Sequence, residues 1–437
     1  MNVRPITPVL QALDHEVSVP GSKSLSNRAL IAAALSEGRS RLANALFAED
    51  TSFLMDGLRR LGLDIRADPQ EKCVELVGCA GHWPAASADI DCGESGTMLR
   101  LLTAACAAGR GTFRLSGRGR LHERPMQPLI DALQTLGARI ECAGCEGHAP
   151  LTVHAQGLHG GAVTVDAAAS SQFLSAVLLA APCATGAVAV RVRDAAVSRP
   201  YVALTVDVMR RFAVRVERGS GGRWFVPAPQ RYKAADYSIE PDASSAGYFL
   251  AAAAICGGRV RVPGLGRDSL QGEARLLALL RKMGCELKLE RQSVEVRQHR
   301  DSGPLRSFDA DLADLPDSVP TAAVLALFAD GASRLRGIEH LRHKESDRLA
   351  GLAAQLQRLG AAVVLGAGGL TIQPPPRIRP ATLQTYGDHR MAMALSLAGL
   401  AVPGVAIENP ACVAKSFPEF FVKLEALARP AGPARSS

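Results

Sequence analysis

Aromatic residues make up only 4% of this 437-residue chain, so its core is not built around large aromatic clusters and must come from closely packed Ala, Leu, Ile and Val. Unbroken apolar runs long enough to cross a bilayer are lacking too. Met1–Val17 has no charged segment followed by an apolar stretch and a small-residue cleavage site, so no secretory signal is read and the expected location is the cytoplasm. The ten cysteines have no paired spacing and read as reduced, mostly core residues. Cys142 and Cys145 with His148 form the one metal-like grouping, but it lacks a second CxxC and sits in a Gly-rich turn, so no metal is expected. Long basic runs are also missing. The 50 Lys and Arg against 42 Asp and Glu give a net charge of +8, yet the cations come singly inside turns, which favours small anions over nucleic acid.

What the chain does have is length, an apolar fraction of 47% and a repeat. Two or three domains are expected at this size. Helix ends pass into strands at Gly62, Gly137, Ala213, Gly284 and Gly360, with steps of 71 to 76 residues, as expected for a Gly that caps a helix before a strand. A second series runs beside it. Helices apolar nearly all round begin with polar clusters marked by Lys23, Gly96, Ser171, Asp242, Asp317 and Asp388, again about 71 to 75 residues apart. Such helices must be buried, with Ser, Asp and Gly as candidate caps.

Each unit adds a more amphipathic helix, so six βαβαββ repeats and an α/β (α+β) class follow, three repeats per domain. The Pro-containing polar stretch from Phe225 to Ser245 marks the boundary. An N-terminal domain is predicted over 21–240 and a C-terminal domain over 241–437, closed by the N-terminal segment 1–20. Crossings near 20–21 and 238–242 would form a hinge. The last ten residues, ARPAGPARSS, read as disordered.

Helix N-termini carry unpaired N–H groups and partial positive charge, and so attract anions. Capping explains Ser and Asp at these starts but not Lys23, Arg28, Arg124, Arg348, Arg390 and Lys415, which suggest an anion cleft. The run PGSKS has Ser22 where a P-loop needs Gly, so no nucleotide-phosphate loop is read there, nor is a GxGxxG fingerprint completed at Gly264. Asp317 and Glu345 are candidate proton-transfer groups; taken alone, Asp317 also reads as a helix cap before Pro320, and Glu345 as a partner of Arg348 or Arg342. His389 reads equally as an acid/base or as a core histidine.

The runs PGSKSLSNRALIAAALSEG, GTMLRLLTA, ERPMQPL, SSQFLSAVLLAAP, DASSAGYFLAAAAI, KESDRL, GDHRMAMA and KSFPEFF, in this order and spacing, resemble the EPSP synthase family of enolpyruvyl (carboxyvinyl) transferases. The resemblance covers nearly the whole chain. It implies a two-domain inside-out α/β barrel of six βαβαββ units. It also implies a reaction: the enolpyruvyl group of phosphoenolpyruvate passes to the 5-hydroxyl of shikimate 3-phosphate with release of phosphate, in the shikimate pathway to chorismate and aromatic amino acids, by a cofactor-free monomer. Carried over by position, Lys23, Ser24, Arg28, Ser170, Ser171, Gln172, Ser198, Tyr201, Asp317, His340 and Lys344 would take shikimate 3-phosphate. Lys23, Gly96, Arg124, Gln172, Arg348, Arg390 and Lys415 would take phosphoenolpyruvate. Asp317 would accept the 5-hydroxyl proton, Glu345 would protonate the methylene carbon, and Lys23 would serve both ligands.

Three departures stand out. Glu94-Ser95 replaces the more usual Asn-Ala or Asn-Ser, His340 stands where some relatives have Asn, and the stretch before the ERP signature lacks its usual Asp. They bear on affinity and leave Lys23, Asp317, Glu345 and the arginines untouched. The nearest rival, a transferase acting on UDP-N-acetylglucosamine, would carry a reactive Cys on the Ser116–Arg120 loop, and none is there. A nucleic-acid-binding repeat protein is favoured only by the charge.

Overall fold

The computed structural model describes residues 2–193 and 198–429. From Pro430 onward the tail predicted to be disordered lies outside the described residues. The chain divides into two compact units, one made of Gly21–Glu240 and the other of Met1–Pro20 with Pro241–Ser437.

In the Gly21–Glu240 unit, three helices form the centre: Lys23–Leu35, Gly96–Ala107 and Gln172–Ala180. The middle one packs on both others. All but Ser24 of the first are buried, and Ala is the commonest buried residue within that helix, because small side chains let neighbouring helices and sheets approach closely. Outside them lie three four-stranded sheets that share one plan. In the second, Ser87–Asp91 runs parallel to Arg110–Ser116, which pairs antiparallel with Leu151–Gln156, which in turn pairs antiparallel with Arg139–Cys142. The third repeats this order from Gly161–Val165. The first borrows its opening strand, Asp236–Ser238, from the far end of the unit, where it runs parallel to Glu37–Ala43.

The other unit is built alike around Ala243–Cys256, Val319–Leu325 and His389–Ala401, which pack mutually. The N-terminal segment serves two of its sheets. Leu13–Glu16 opens the fourth sheet, parallel to Gly258–Pro263, and Val3–Pro5 closes the three-stranded sixth, antiparallel to Ala406–Glu408. Each repeat thus reads βαβαββ with strand order 1-2-4-3, and the sixth contains three strands. With helices inside and sheets outside, the architecture is mixed α/β of inside-out form.

The helix-to-strand junctions explain the period. Gly62, Gly137, Gly284 and Gly360 have φ of 96°, 95°, 106° and 99°, a left-handed region that favours Gly. Ala213 adopts φ 62° at the equivalent place, at a steric cost that Gly would avoid.

Candidate active site

In the Gly21–Glu240 unit the polar groups gather at the first turns of the inner helices. Lys23 opens its helix and its Nζ lies 3.2 Å from Asp50 Oδ2, both side chains being nearly buried. Ser22, the N-cap, makes no side-chain cap bond, and its Oγ is buried without a partner. One turn on, Arg28 is buried and fully oriented: Nε donates to Thr205 Oγ1 at 2.7 Å, Nη1 to the Ser24 carbonyl at 2.9 Å and Nη2 to Ser175 Oγ at 3.3 Å. Its guanidinium also lies over the Tyr201 ring. Thr205 donates in turn to the Tyr201 carbonyl, so Ser24, Arg28 and Tyr201 share one network. Ser198, next to Arg199 and buried, takes a left-handed φ of 57°.

A second network joins the other two helix starts. Gln172, first residue of its helix, accepts from Arg100 Nη1 at 2.7 Å and donates to Thr97 Oγ1 at 2.9 Å, while its backbone N–H donates to Ser170 Oγ. Arg100 also donates to the Pro125 carbonyl and stacks on Phe173, which ties Gln172 to the segment bearing Arg124. A Cβ built on Gly96 would stand 2.7 Å from Arg124 Cζ and Nη1. The bare backbone at Gly96 therefore makes room for a guanidinium. Ser171 is buried as N-cap without a side-chain cap bond. Glu94 is exposed, its carboxylate against the turn at Gly119.

In the other unit the charges form a single ladder. Asp388 caps the His389–Ala401 helix by accepting from Arg390 N at 2.9 Å, and also accepts from Arg348 Nε at 2.8 Å and from Ser346 Oγ at 3.1 Å. Arg348, first residue of Arg348–Arg358 and 1% exposed, reaches Asp317 Oδ1 at 3.2 Å and Glu345 Oε2 at 2.9 Å with its other nitrogens. Burial alone would lower its pKa, but Asp388, Glu345 and Asp317 outweigh that and raise it, so the cation is permanent. Arg390 holds the second oxygen of Asp317 at 2.9 Å and meets Tyr248, whose buried phenol is pushed up to about 12.

Asp317 is thus no helix cap. Ser318 takes that position, and the carboxylate is clamped between two guanidinium groups. Glu345 pairs with Arg348, whereas Arg342 turns to Glu339 and Asp347. Lys344 is half-buried on the same turn, and Lys415 is buried at the end of Pro410–Lys415, a 3-10 segment packed on the His389–Ala401 helix. His389 is wholly buried, its Nδ1 3.8 Å from Asp388. His340 is buried beside this ladder, and desolvation, with Lys344 and Arg348, lowers its pKa to about 3.

Sequence reasoning missed the residues that hold these groups: Asp50, Thr97, Arg100, Ser175, Thr205, Tyr248 and Ser346, and it took Asp388 for a cap alone. A lone arginine inside an apolar helix, as Arg100 is, was the one available signal. Among the described residues no group of three or more His, Cys, Asp or Glu is arranged to hold a metal, and Cys145 is exposed.

Cations and hydroxyls at helix starts, with carboxylates clamped among arginines, define an enzyme that handles small phosphorylated or carboxylated substrates. Residues 7–424 match the family described as EPSP synthase (3-phosphoshikimate 1-carboxyvinyltransferase). The chain is 42% identical over 428 residues to the 3-phosphoshikimate 1-carboxyvinyltransferase of Photobacterium profundum, covering 98% of this chain and 99% of the relative. It is 44% identical over 419 residues to that of Syntrophobacter fumaroxidans, covering 96% and 98%. The solved EPSP synthase of Acinetobacter baumannii superposes with a TM-score of 0.82 at 26% identity, covering 98% of each chain. The chain belongs to the EPSP synthase family.

Proposed function

We propose that the chain is a 3-phosphoshikimate 1-carboxyvinyltransferase, moving the enolpyruvyl group of phosphoenolpyruvate to the 5-hydroxyl of shikimate 3-phosphate and releasing phosphate. The match over residues 7–424 carries this reading. The hydroxyl oxygen bonds to C2 of phosphoenolpyruvate as C3 gains a proton; phosphate then leaves C2 as C3 returns a proton, restoring the double bond in the product ether.

Lys23, Ser24, Arg28, Ser170, Ser171, Gln172, Ser198 and Tyr201 are proposed to take the phosphate and carboxylate of shikimate 3-phosphate, and Asp317, His340 and Lys344 are assigned to the same substrate. Lys23, Gly96, Arg124, Gln172, Arg348, Arg390 and Lys415 are assigned to phosphoenolpyruvate. Hydrogen bonds from Arg348 and Arg390 to separate oxygens fix the Asp317 carboxylate, which supports its role as acceptor of the 5-hydroxyl proton. A carboxylate is a weak base toward an alcohol, so the transfer must be concerted with protonation at C3, the role assigned to Glu345. We assign the hinge to the crossings near 20–21 and 238–242, where Ser22 N–H donates to the Glu240 carbonyl within one unit and Asp242 N–H to the Pro20 carbonyl within the other, each at 2.8 Å. No helix among the described residues is long and apolar enough to cross a membrane, and the reaction is assigned to a cytoplasmic monomer.

Asp317→Asn tests the assignment, because it keeps the shape and one acceptor oxygen while removing the base. Turnover should be lost, with shikimate 3-phosphate binding retained within a few-fold in calorimetry. Near-normal turnover would remove Asp317 from the reaction.

A further inference from the structure

One face of the Arg348–Arg358 helix carries Arg348, Gly351 and Gln355, spaced three and four residues apart and so stacked along the helix. All three meet the turn that leads into the His389–Ala401 helix. Gln355 is 1% exposed, and its carboxamide grips the turn at two places: Nε2 donates to the Tyr386 hydroxyl at 2.7 Å, and Oε1 accepts from the Gln384 backbone N–H at 2.9 Å. The Tyr386 ring lies against Gly351, where a Cβ would stand 3.0 Å from Cε2 and 3.2 Å from Cδ2. A glycine inside a helix weakens it, and the room the ring takes accounts for this one. Arg348 makes the third contact, donating to both oxygens of Asp388 at 2.8 and 3.3 Å. Between these contacts the backbone is strained. Tyr386 has φ of 55° and Gly387 of 71°, a left-handed pair at the centre of a turn closed by Asp388 N–H donating to the Thr385 carbonyl at 2.9 Å. A bulky residue keeps that conformation only where its surroundings impose it.

We propose that Tyr386 is a positioning residue for the reaction: anchored on Gln355 and Gly351, it fixes the turn, and through the turn the Asp388 carboxylate, so that Arg348 and Arg390 are held in place for phosphoenolpyruvate. This rests on the reading above that these two arginines take that substrate. Tyr386 acts through Asp388 and not on the substrate. The lever is short. Tyr386 stands two residues before Asp388, whose carboxylate orients Arg348 through Nε and the start of the next helix through the Arg390 N–H. Without the ring the strained pair relaxes toward ordinary φ, and the carboxylate moves with it. A guanidinium recognises an anion through a rigid fork of donors, so a small displacement weakens binding. Asp317 and Glu345 remain bonded to Arg348, so the loss falls on affinity for phosphoenolpyruvate more than on the chemical step.

The test compares the wild type with Tyr386→Asn, Tyr386→Phe, Gly351→Ala and the double variant Tyr386→Asn with Gly351→Ala. Asn tolerates the left-handed backbone but supplies no ring, and Phe keeps the ring without the hydroxyl. Tyr386→Asn should raise KM for phosphoenolpyruvate about 10-fold and Tyr386→Phe about 3-fold, with kcat and KM for shikimate 3-phosphate changed less than about 3-fold. Gly351→Ala makes a better helix former, so a weakened helix cannot explain a loss there. Its methyl pushes on the ring, and it should raise KM for phosphoenolpyruvate several-fold in the wild type but add nothing in the double variant, because both changes act through the ring. An unchanged KM for phosphoenolpyruvate in Tyr386→Asn, equal losses for both substrates, or additive effects in the double variant would overturn the proposal. If Tyr386→Asn fails to fold, Tyr386→Phe decides by the same split between the two KM values. Hydrogen exchange followed by mass spectrometry reads the clamp without turnover: Tyr386→Phe should speed exchange over residues 385–390 and leave the Lys23–Leu35 helix unchanged, and equal rates over 385–390 refute it. Wild type that does not turn over shikimate 3-phosphate would instead refute the function on which the proposal rests, and the exchange rates would still decide the clamp.

Discussion

Asp388→Ala removes one carboxylate at the foot of the His389–Ala401 helix, and its cost follows from what that carboxylate holds. Asp388 is fully buried and accepts from Arg348 Nε, Ser346 Oγ and the backbone N–H of Arg390. Breaking a buried ion pair by deleting one partner costs about 3–5 kcal/mol, and losing a helix cap about 1 kcal/mol. Asp317 and Glu345 still bond Arg348, which keeps the total near the low end, about 4 kcal/mol. For a unit of this size each kcal/mol moves Tm by about 2–4 °C, so differential scanning calorimetry should show a drop of roughly 8–16 °C. Arg348 loses its bidentate anchor at the same time, so kcat/KM for phosphoenolpyruvate should fall at least tenfold at temperatures where the variant remains folded. Asp388→Asn keeps the shape and the cap, and should lie between the two. A Tm within about 2 °C of wild type for Asp388→Ala would refute the claim that this carboxylate compensates the buried guanidinium.

Gly96→Ala places a methyl group 2.7 Å from the Arg124 guanidinium. The obstruction is the end of a flexible side chain, so Tm should hold within about 2 °C while KM for phosphoenolpyruvate rises several-fold. Thr205→Val deletes the acceptor of Arg28 Nε, and KM for shikimate 3-phosphate should rise about 3- to 10-fold with kcat nearly unchanged. The pKa of His340 falls from 6.5 to about 3 on folding, so it contributes stability that is fully present above pH 6.5 and is lost as the pH drops below that value. Between pH 7.5 and pH 5 this amounts to about 2 kcal/mol. Urea denaturation at the two pH values should show that much less acid destabilisation in His340→Gln than in wild type; equal pH dependence would contradict a neutral buried imidazole.

Local rules explain which parts of this molecule are legible in its sequence. The junction glycines are visible because a left-handed helix end demands them, and the inner helices because burial on all sides leaves no polar face. The division of residues 1–20 between two sheets is not visible, since Leu13–Glu16 pairs with a strand some 245 positions away and no local pattern encodes a partner at that distance. At the site, Lys23, Arg28, Arg348 and Arg390 stand out as charges at apolar helix starts. Their anchors do not: Asp50, Thr205 and Ser175 are ordinary polar residues on other helices that become meaningful only once folding sets them within 3.3 Å of a cation. Asp388 was misleading because a cap and an ion-pair partner look identical in sequence, and here it is both.

The most direct measurement is phosphate release from phosphoenolpyruvate by the purified chain, with shikimate 3-phosphate and UDP-N-acetylglucosamine compared as acceptors. Release should depend on shikimate 3-phosphate, match one enolpyruvyl ether formed per phosphate, and remain at background with the nucleotide sugar. Release with the nucleotide sugar, or none with shikimate 3-phosphate, would contradict the account.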